Sequence, residues 1–448
     1  MTFPSYPDYK SSGQDWIGEM PGHWHIYRSK NVFSERNIKA VESDEQLTAS
    51  QKYGVIPQKL FCQLEDQKVM QVILGRDILK KAEVNDFVIS MRSFQGGLEF
   101  CSYSGAVSSA YVPLYANREL DDRFFKHLFK SAPFISALQN TSNLVRDGQA
   151  LRYNNFVQLS LPFPSINEQR TIGAFLDHET ARIDALIEEQ QRLIELLKEK
   201  RQAVISHAVT KGLDPTAPMK DSGVEWLGEV PAHWVVSKFG YISSVVRGGS
   251  PRPAGDPELF NGDYSPWVTV AEITKDDEIY LHETETFLTK KGSDQCRVFS
   301  KGTLLLSNSG ATLGVPKILM IDANANDGVV GFENISLDKE YSYLYLATLT
   351  EGLRDRAAGS GQPNLNTDIV KSIDIPIPPS NEVAEIVAAV KKLRAQFDFL
   401  SKEAVKGIRL LQERRSALIS AAVTGKIDVR GWQPPASAPS PELAQEAV

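Results

Sequence analysis

Cysteine is scarce in this chain: Cys62, Cys101 and Cys296 are the only three in 448 residues, and they lie far apart. No Cys-x-x-Cys pair or Cys/His cluster exists, so neither a zinc site nor a disulfide framework is expected, and a reducing, cytoplasmic setting is the simplest reading. No run of about 18 apolar residues is present, so no membrane span is expected. The N-terminal MTFPSYPDYKSSGQDW has no apolar core of the signal-peptide kind. The chain has no excess of positive charge either. Its net charge of −7 does not advertise a nucleic-acid binder, but binding depends on local patches rather than on the total. Catalytic signatures are missing as well: there is no P-loop, GxGxxG, HExxH or GxSxG. There is no FxGxG-like cofactor loop, and no Asp/Asn/Ser-Pro-Pro-aromatic tetrad of an amino-methyltransferase. Pro378-Pro379 is followed by Ser and Pro434-Pro435 by Ala. The carboxylate pairs Glu188-Glu189 and Asp276-Asp277 read as solvated charge, because adjacent side chains point apart. These absences favour a binding or scaffolding chain over an enzyme.

The most informative stretch that is present runs from Ile166 to Thr210. It holds no Pro and one Gly, and its apolar residues Ile172, Leu176, Ile183, Leu186, Leu193, Leu197 and Val204 keep alternating three- and four-residue steps. Glu179, Gln190 and Lys200 interrupt the seam. A seam this long predicts a helix paired with another long helix. The partner lies in the same chain. An offset of 214 maps the seam onto Ile386, Val390, Leu393, Phe397, Leu400, Ala404, Gly407, Leu411, Arg414 and Leu418. The ends agree without a gap, KRQAVISHAVT (200–210) against RRSALISAAVT (414–424), with seven identities in eleven. A second repeat, at an offset of 210, is WIGEMPGHW (16–24) against WLGEVPAHW (226–234). Two Trp around a Pro/Gly turn suggest a packing clasp. His23 and His233 read as structural histidines held against Trp, since no nucleophile or carboxylate partner is signalled nearby.

Between clasp and helix lie two mixed segments. Residues 87–91 and 106–115 of the first, and 265–270, 302–310 and 315–321 of the second, read as strands. Residues 123–139, interrupted at Pro133, and 341–358 read as helices. Residues 144–156 and 359–368 read as polar loops. A strand and Pro-rich corner, LSLPFPSINE or IDIPIPPSNE, then leads into each long helix, with Ser165 or Asn167 as the cap of the first. The implied organisation is a clasp segment (1–24), a first recognition-type domain (25–164), a long helix (165–211), a linker and repeated clasp (212–234), a second domain (235–379), a second long helix (380–427) and a Pro/Ala/Ser-rich disordered tail (428–448). The expected class is α+β: two mixed α/β domains separated by a long antiparallel two-helix coiled coil, related by a pseudo-twofold repeat. The mixed segments share only their turn chemistry, with MRSFQGG (91–97) placed roughly where NSGATLG (308–314) lies. Pairing of the helices in trans between two chains is the alternative geometry.

Loops of the first domain carry Arg92, Ser93, Gln95, Arg146, Gln149, Arg152, Tyr153 and Asn154. Those of the second carry Arg247, Arg252, Ser307, Asn308, Ser309, Thr312, Gln362, Asn364 and Asn366. Arg, Asn, Gln, Ser and Thr are the side chains that read base edges and grip phosphates. Any one of them can equally be an ordinary polar loop residue. Taken together, the two sets form a candidate DNA surface.

The paired DWIGEMPGHW and EWLGEVPAHW, the PFPSINEQ and PIPPSNE corners, the KRQAVISHAVTKG ending and the GSGQPNLN and LLLSNSGATLG stretches together resemble the specificity subunits of Type I restriction–modification systems. The resemblance covers nearly the whole chain apart from the tail. It implies two target recognition domains, each reading one half of a split double-stranded DNA sequence, and a coiled coil that sets their spacing. It further implies a chain that is not itself catalytic and binds no cofactor. Two modification subunits would use S-adenosylmethionine, and restriction subunits would use ATP and Mg. In the second corner PSNEVAEI replaces PSINEQRTI, so the Glu-Gln pair is lost, and Gly407 weakens the second helix by roughly 1 kcal/mol relative to Ala. A coiled-coil adaptor without a DNA role and an enzyme with unrecognised motifs are the competing readings.

Overall fold

The computed structural model describes residues 3–66, 78–142, 151–310, 312–357 and 364–434. Two helices dominate, Ile166–Lys211 and Ser380–Val423, each unbroken over 46 and 44 residues. Ser165 caps the first, its Oγ accepting from Glu168 N, and Gly407 does not interrupt the second. The chain forms two compact units, Met1–Gln191 with Val405–Val448, and Arg192–Ala404. Each unit therefore contains the start of one long helix and the end of the other.

In the first unit a four-stranded antiparallel sheet has the order Phe33–Glu35, Val112–Ala116, Phe87–Ile89, Glu99–Phe100. Its core is aromatic. Phe33, Phe87 and Phe129 meet edge-on at centroid distances of 4.9–5.7 Å, a geometry that aligns ring edge with ring face. Helices Asp122–Lys130 and Ala132–Asn140 cover the sheet. The break between them falls at Ser131, and Pro133 occupies the first turn of the second helix, where its missing N–H is harmless.

The second unit has a five-stranded sheet ordered Ser244–Arg247, Val329–Glu333, Leu304–Ser307, Pro316–Leu319, Tyr280–Leu281. Its first four strands repeat the first unit's order, antiparallel pair for antiparallel pair. Helices Lys339–Thr348 and Thr350–Ala357 follow, as in the first unit. Each unit then closes with a strand paired to the one after the clasp, Ser160–Phe163 with His25–Arg28 and Asp374–Ile377 with Val235–Lys238. The mixed segments thus share a sheet topology as well as turn chemistry. Sequence comparison missed this because a strand needs only apolar alternation, not particular residues. The second unit adds a separate four-stranded sheet containing Phe260–Val268.

Helix pairing is strongest at the helix ends. Ile172, Leu176 and Ile183 share the first core with Leu418, Ile419, Ala422 and Val423. Arg415 pairs with Asp184 at 2.9 Å while Gln190 faces Gly407, so these segments run antiparallel. In the second unit Ile205, Ala208 and Val209 share a core with Ile386, Val387 and Val390, and Arg201 reaches Asp398 at 2.9 Å. The expected seam does not hold in the middle: Leu186, Leu193 and Leu400 are 38%, 42% and 48% exposed. Past that point burial shifts from Val204 to Ile205, as expected when a straight 3.6-residue helix drifts off a 3.5-residue repeat.

The two clasps fold alike. Trp24 Nε1 and His23 Nε2 lie 3.0 and 2.9 Å from the Glu168 carboxylate. Trp234 Nε1 and His233 Nε2 lie 2.8 and 2.6 Å from that of Glu382. The histidines therefore do have carboxylate partners, contrary to the sequence reading; these come from the first turn of a helix about 145 residues away. Because the other oxygen of each carboxylate holds the Trp indole, the role is structural. The second corner keeps its Glu and loses only Gln169, whose place is taken by Val383 in the core. Nor is Asp276 free solvated charge: it clamps the buried Lys317 ammonium, which also donates to the carbonyls of Asp276 and Glu278. Residues 428–434, expected in the disordered tail, are folded. Val429 is buried, Asp428 N donates to Pro4 O, and Trp432 packs edge-on against Phe175. Residues 435–448 lie outside the described residues.

Candidate nucleic-acid interface

In both units a serine stands at the end of the central strand, Ser90 just after Phe87–Ile89 and Ser307 as the last residue of Leu304–Ser307, and the chain turns sharply to a glycine with positive φ, Gly97 at 74° or Gly314 at 85°. A Cβ on Gly97 would stand 1.9 Å from Phe129 O, and one on Gly314 would stand 3.2 Å from Thr350 O. Glycine is needed at both points because φ is positive and the turn is pressed against a covering helix.

In the first unit, residues 91–97 form a short helical turn, Ser93–Gly96, held by Gln139 Nε2 donating to Phe94 O. Arg92 and Gln95 are exposed. Ser93 is fully buried, with its Oγ accepting from Ser90 N, and so is unavailable to a ligand. Arg152 and Asn154 are exposed around the short helix Tyr153–Phe156. Tyr153 spends its hydroxyl on Phe33 O at 3.2 Å. Asn155 Nδ2 ties this helix to Thr141 O, so the helix end at Gln139–Thr141 holds both candidate turns. Arg146 and Gln149 lie outside the described residues. The sequence reading passed over Met91, which stands 59% exposed beside Arg92; apolar contact can recognise a thymine methyl.

In the second unit, four separated segments converge. Arg247 Nε donates to Asp327 O at 2.6 Å, and Ser250 Oγ donates to Asp327 Oδ1. Asn308 N donates to Gly328 O, and Leu365 N donates to Asn308 O. Ser309 bridges Asn364. Arg252, Thr312 and Asn364 are exposed and Ser309 is half-buried. Asn366 is exposed, but its side chain caps the helix Thr367–Ser372 by accepting from Ile369 N. Ser307 and Asn308 are fully buried. Ser307 Oγ donates to Thr312 O and accepts from Val315 N, which shapes the turn. These two are therefore not base readers. Polarity in the sequence could not separate them from Ser309, because their burial is set by contacts with Val315 and Leu365 rather than by local pattern. Gln362 lies outside the described residues.

Buried charges lie away from these turns. Burial pushes the Glu99 carboxyl above the usual range although Lys130 is 2.6 Å away. Burial drives the Cys101 thiol up to about 12, which leaves it unreactive. Among the described residues, no group of three or more His, Cys, Asp or Glu is placed to hold a metal, and no helix is long and apolar enough to cross a membrane.

Two copies of one frame, each carrying exposed polar turns at the end of its central strand, define a tandem-repeat recognition chain. Residues 231–406 match the family model described as Type I restriction modification DNA specificity domain. The chain is 31% identical over 195 residues to the Type I restriction enzyme MjaIX specificity subunit of Methanocaldococcus jannaschii, covering 42% of this chain and 43% of that one. It is 23% identical over 348 residues to the StySPI specificity subunit of Salmonella potsdam, covering 74% and 70%. Its fold is shared, at TM-score 0.65 and 16% identity, with a chain from a structure concerning complex assembly and conformational transition of the type I R-M system, covering 90% of this chain and 98% of that one. Over these matched stretches the chain is similar to the specificity subunits of Type I restriction–modification systems, although it spans less than half the length of the first of these relatives.

Proposed function

We propose that this chain reads a split, asymmetric DNA sequence, one half through the turns of each unit, and that it has no catalytic activity of its own. The observation that carries the reading is the combination of an identical frame with different turns. Both units keep the Trp–Glu clasp and the sheet order, while Met91-Arg92-Ser93 in one is replaced by Asn308-Ser309-Gly310 in the other. The two long helices would form an antiparallel coiled coil between the recognition domains. At ~1.5 Å per residue each is roughly 65–70 Å long, enough to set a fixed, unread gap on B-DNA with its ~34 Å turn. Two modification subunits would dock on the frame and supply S-adenosylmethionine-dependent adenine methylation, with ATP- and Mg-using restriction subunits in the full complex. The net charge of −7 fits a reader whose partners contribute part of the DNA clamp.

The test is to co-express the chain with its neighbouring modification subunit and map methylated adenines. A two-part motif with a fixed gap is expected. An uninterrupted motif, or S-adenosylmethionine binding by the isolated chain, would overturn the reading. Insertion of one heptad in each long helix should change the gap and leave both half-sites alone.

A further inference from the structure

Asn308 stands at the point where the second unit's loops meet, yet it is fully buried. Its backbone N donates to Gly328 O at 2.9 Å, and its backbone O accepts from Leu365 N at 2.8 Å. Its side-chain Nδ2 donates to Leu365 O at 3.2 Å. Backbone and side chain together thus clamp residue 365 from both of its polar groups. The next pairing outward is the bridge between Ser309 and Asn364. Through Gly328 the same residue reaches the 325–328 turn, which holds Arg247 and Ser250. Its Oδ1 is buried and has no partner among the described residues. Leaving such an atom unpaired is unfavourable, so an asparagine here is not the choice stability alone would make. The repeat position in the first unit is Met91, which is exposed and has no such clamp among the described residues.

We infer that Asn308 is a positioning residue for half-site reading: it fixes Ser309 and Asn364 relative to each other so that the second unit discriminates its bases. This rests on the DNA-reading function proposed above. Loss of the Nδ2 donor would remove the side-chain half of this clamp, leaving residue 365 held by the backbone bond alone, with the sheet and both clasps intact. The effect would fall on discrimination, not on general affinity, because buried Asn308 touches no phosphate.

The experiment selects bound fragments from a randomised DNA library with the full chain in complex with its modification subunits, and scores each half-site separately. Asn308→Ala is expected to lower discrimination at one half-site at least tenfold, with the other half-site and non-specific binding unchanged. Asn308→Asp keeps the shape but loses the donor, and should behave the same way if the alanine variant folds poorly. Asn364→Ala, with Asn308 intact, should affect that same half-site. Unchanged discrimination in a folded variant, or equal loss at both half-sites, overturns the inference while the proposed function stands. If the unmodified chain selects no two-part sequence, the proposed function fails and takes the inference with it.

Discussion

The first unit is closed where the second is open. At repeat-related positions on the long helices, Gly173 corresponds to Val387. A Cβ on Gly173 would lie 2.7 Å from Arg123 Cβ and 3.0 Å from Asp121 Oδ1, so the covering helix's cap sits directly on the long helix. Gln169 locks it there, accepting from Asp121 N and donating to Pro164 O, both at 2.9 Å. In the second unit Val383 and Val387 take these places, and a cavity of about 650 Å³ remains, lined also by Ser336, Asp338 and Lys391. The nearby braces differ in sign as well. The first helix offers Asp177 to His127 at 2.8 Å, and the second offers Lys391 to Glu340 at 2.6 Å. A duplicated frame therefore tolerates different seating of its inserts, provided that each helix start carries residues fitting its own insert.

The clasp carboxylates offer the strongest way to break this comparison. Glu168 is nearly buried and takes three donors, from Tyr6, His23 and Trp24, whereas Glu382 is 30% exposed and takes two. Glu168→Ala should lower stability by roughly 2–4 kcal/mol, and Glu382→Ala by about half of that, in denaturant unfolding. Equal losses would show that burial does not distinguish the two clasps. Gly173→Val, which installs the second unit's residue in the first, should cost about 1–3 kcal/mol through overpacking. A neutral result would mean that the cap at Asp121 can withdraw, as in the open unit.

Acid should separate two carboxyl groups, one from each unit. The Glu99 carboxyl is raised by burial, so its contribution to stability is full below the ordinary carboxyl range and is lost as pH rises through its raised value. The Asp276 carboxyl is lowered, chiefly by its bond to Lys317, so its contribution is present above the ordinary range and lost as pH falls. Glu99→Gln should remove a decline in stability above about pH 4.5, and Asp276→Asn should remove a decline below about pH 4. Matching pH profiles for the two variants would contradict the opposite signs. The smallest effect belongs to the exposed brace. Lys391→Ala should change stability by less than about 1 kcal/mol and less still in high salt. A larger loss would give that brace a share in holding the open cavity's wall.

The frame was legible in the sequence because its residues are chemically singular. Trp, Pro and Gly in fixed order leave little room for coincidence, and a helical seam repeats at a countable interval. The clasp's carboxylate was not legible, since Glu168 meets Trp24 across 144 residues. The inserts' shared sheet was hidden because Phe87–Ile89 and Leu304–Ser307 have only apolarity in common. Among the candidate readers, composition found the right turns but could not tell which way a side chain faces. Arg92 and Thr312 point out, while Ser93 and Asn308 point in.

The meeting of Gly425 and Lys426 with the first clasp bears on the order in which the chain can finish folding. Lys426 Nζ donates to Glu19 O, and Gly425 packs against Pro21 and Trp24. The second clasp obtains the same lid from Lys211 and Gly212, with Lys211 only 18 residues from Glu229. The second unit is one continuous stretch and can close once residue 404 has been made. The first must wait for Leu418 to Val429, which belong to its core. At ~5–20 residues per second that wait lasts on the order of 10–50 s after residue 191 is made. The unit synthesised first is therefore the last to be completed, and in the interval it presents a half-built aromatic core to whatever in the cell binds nascent chains.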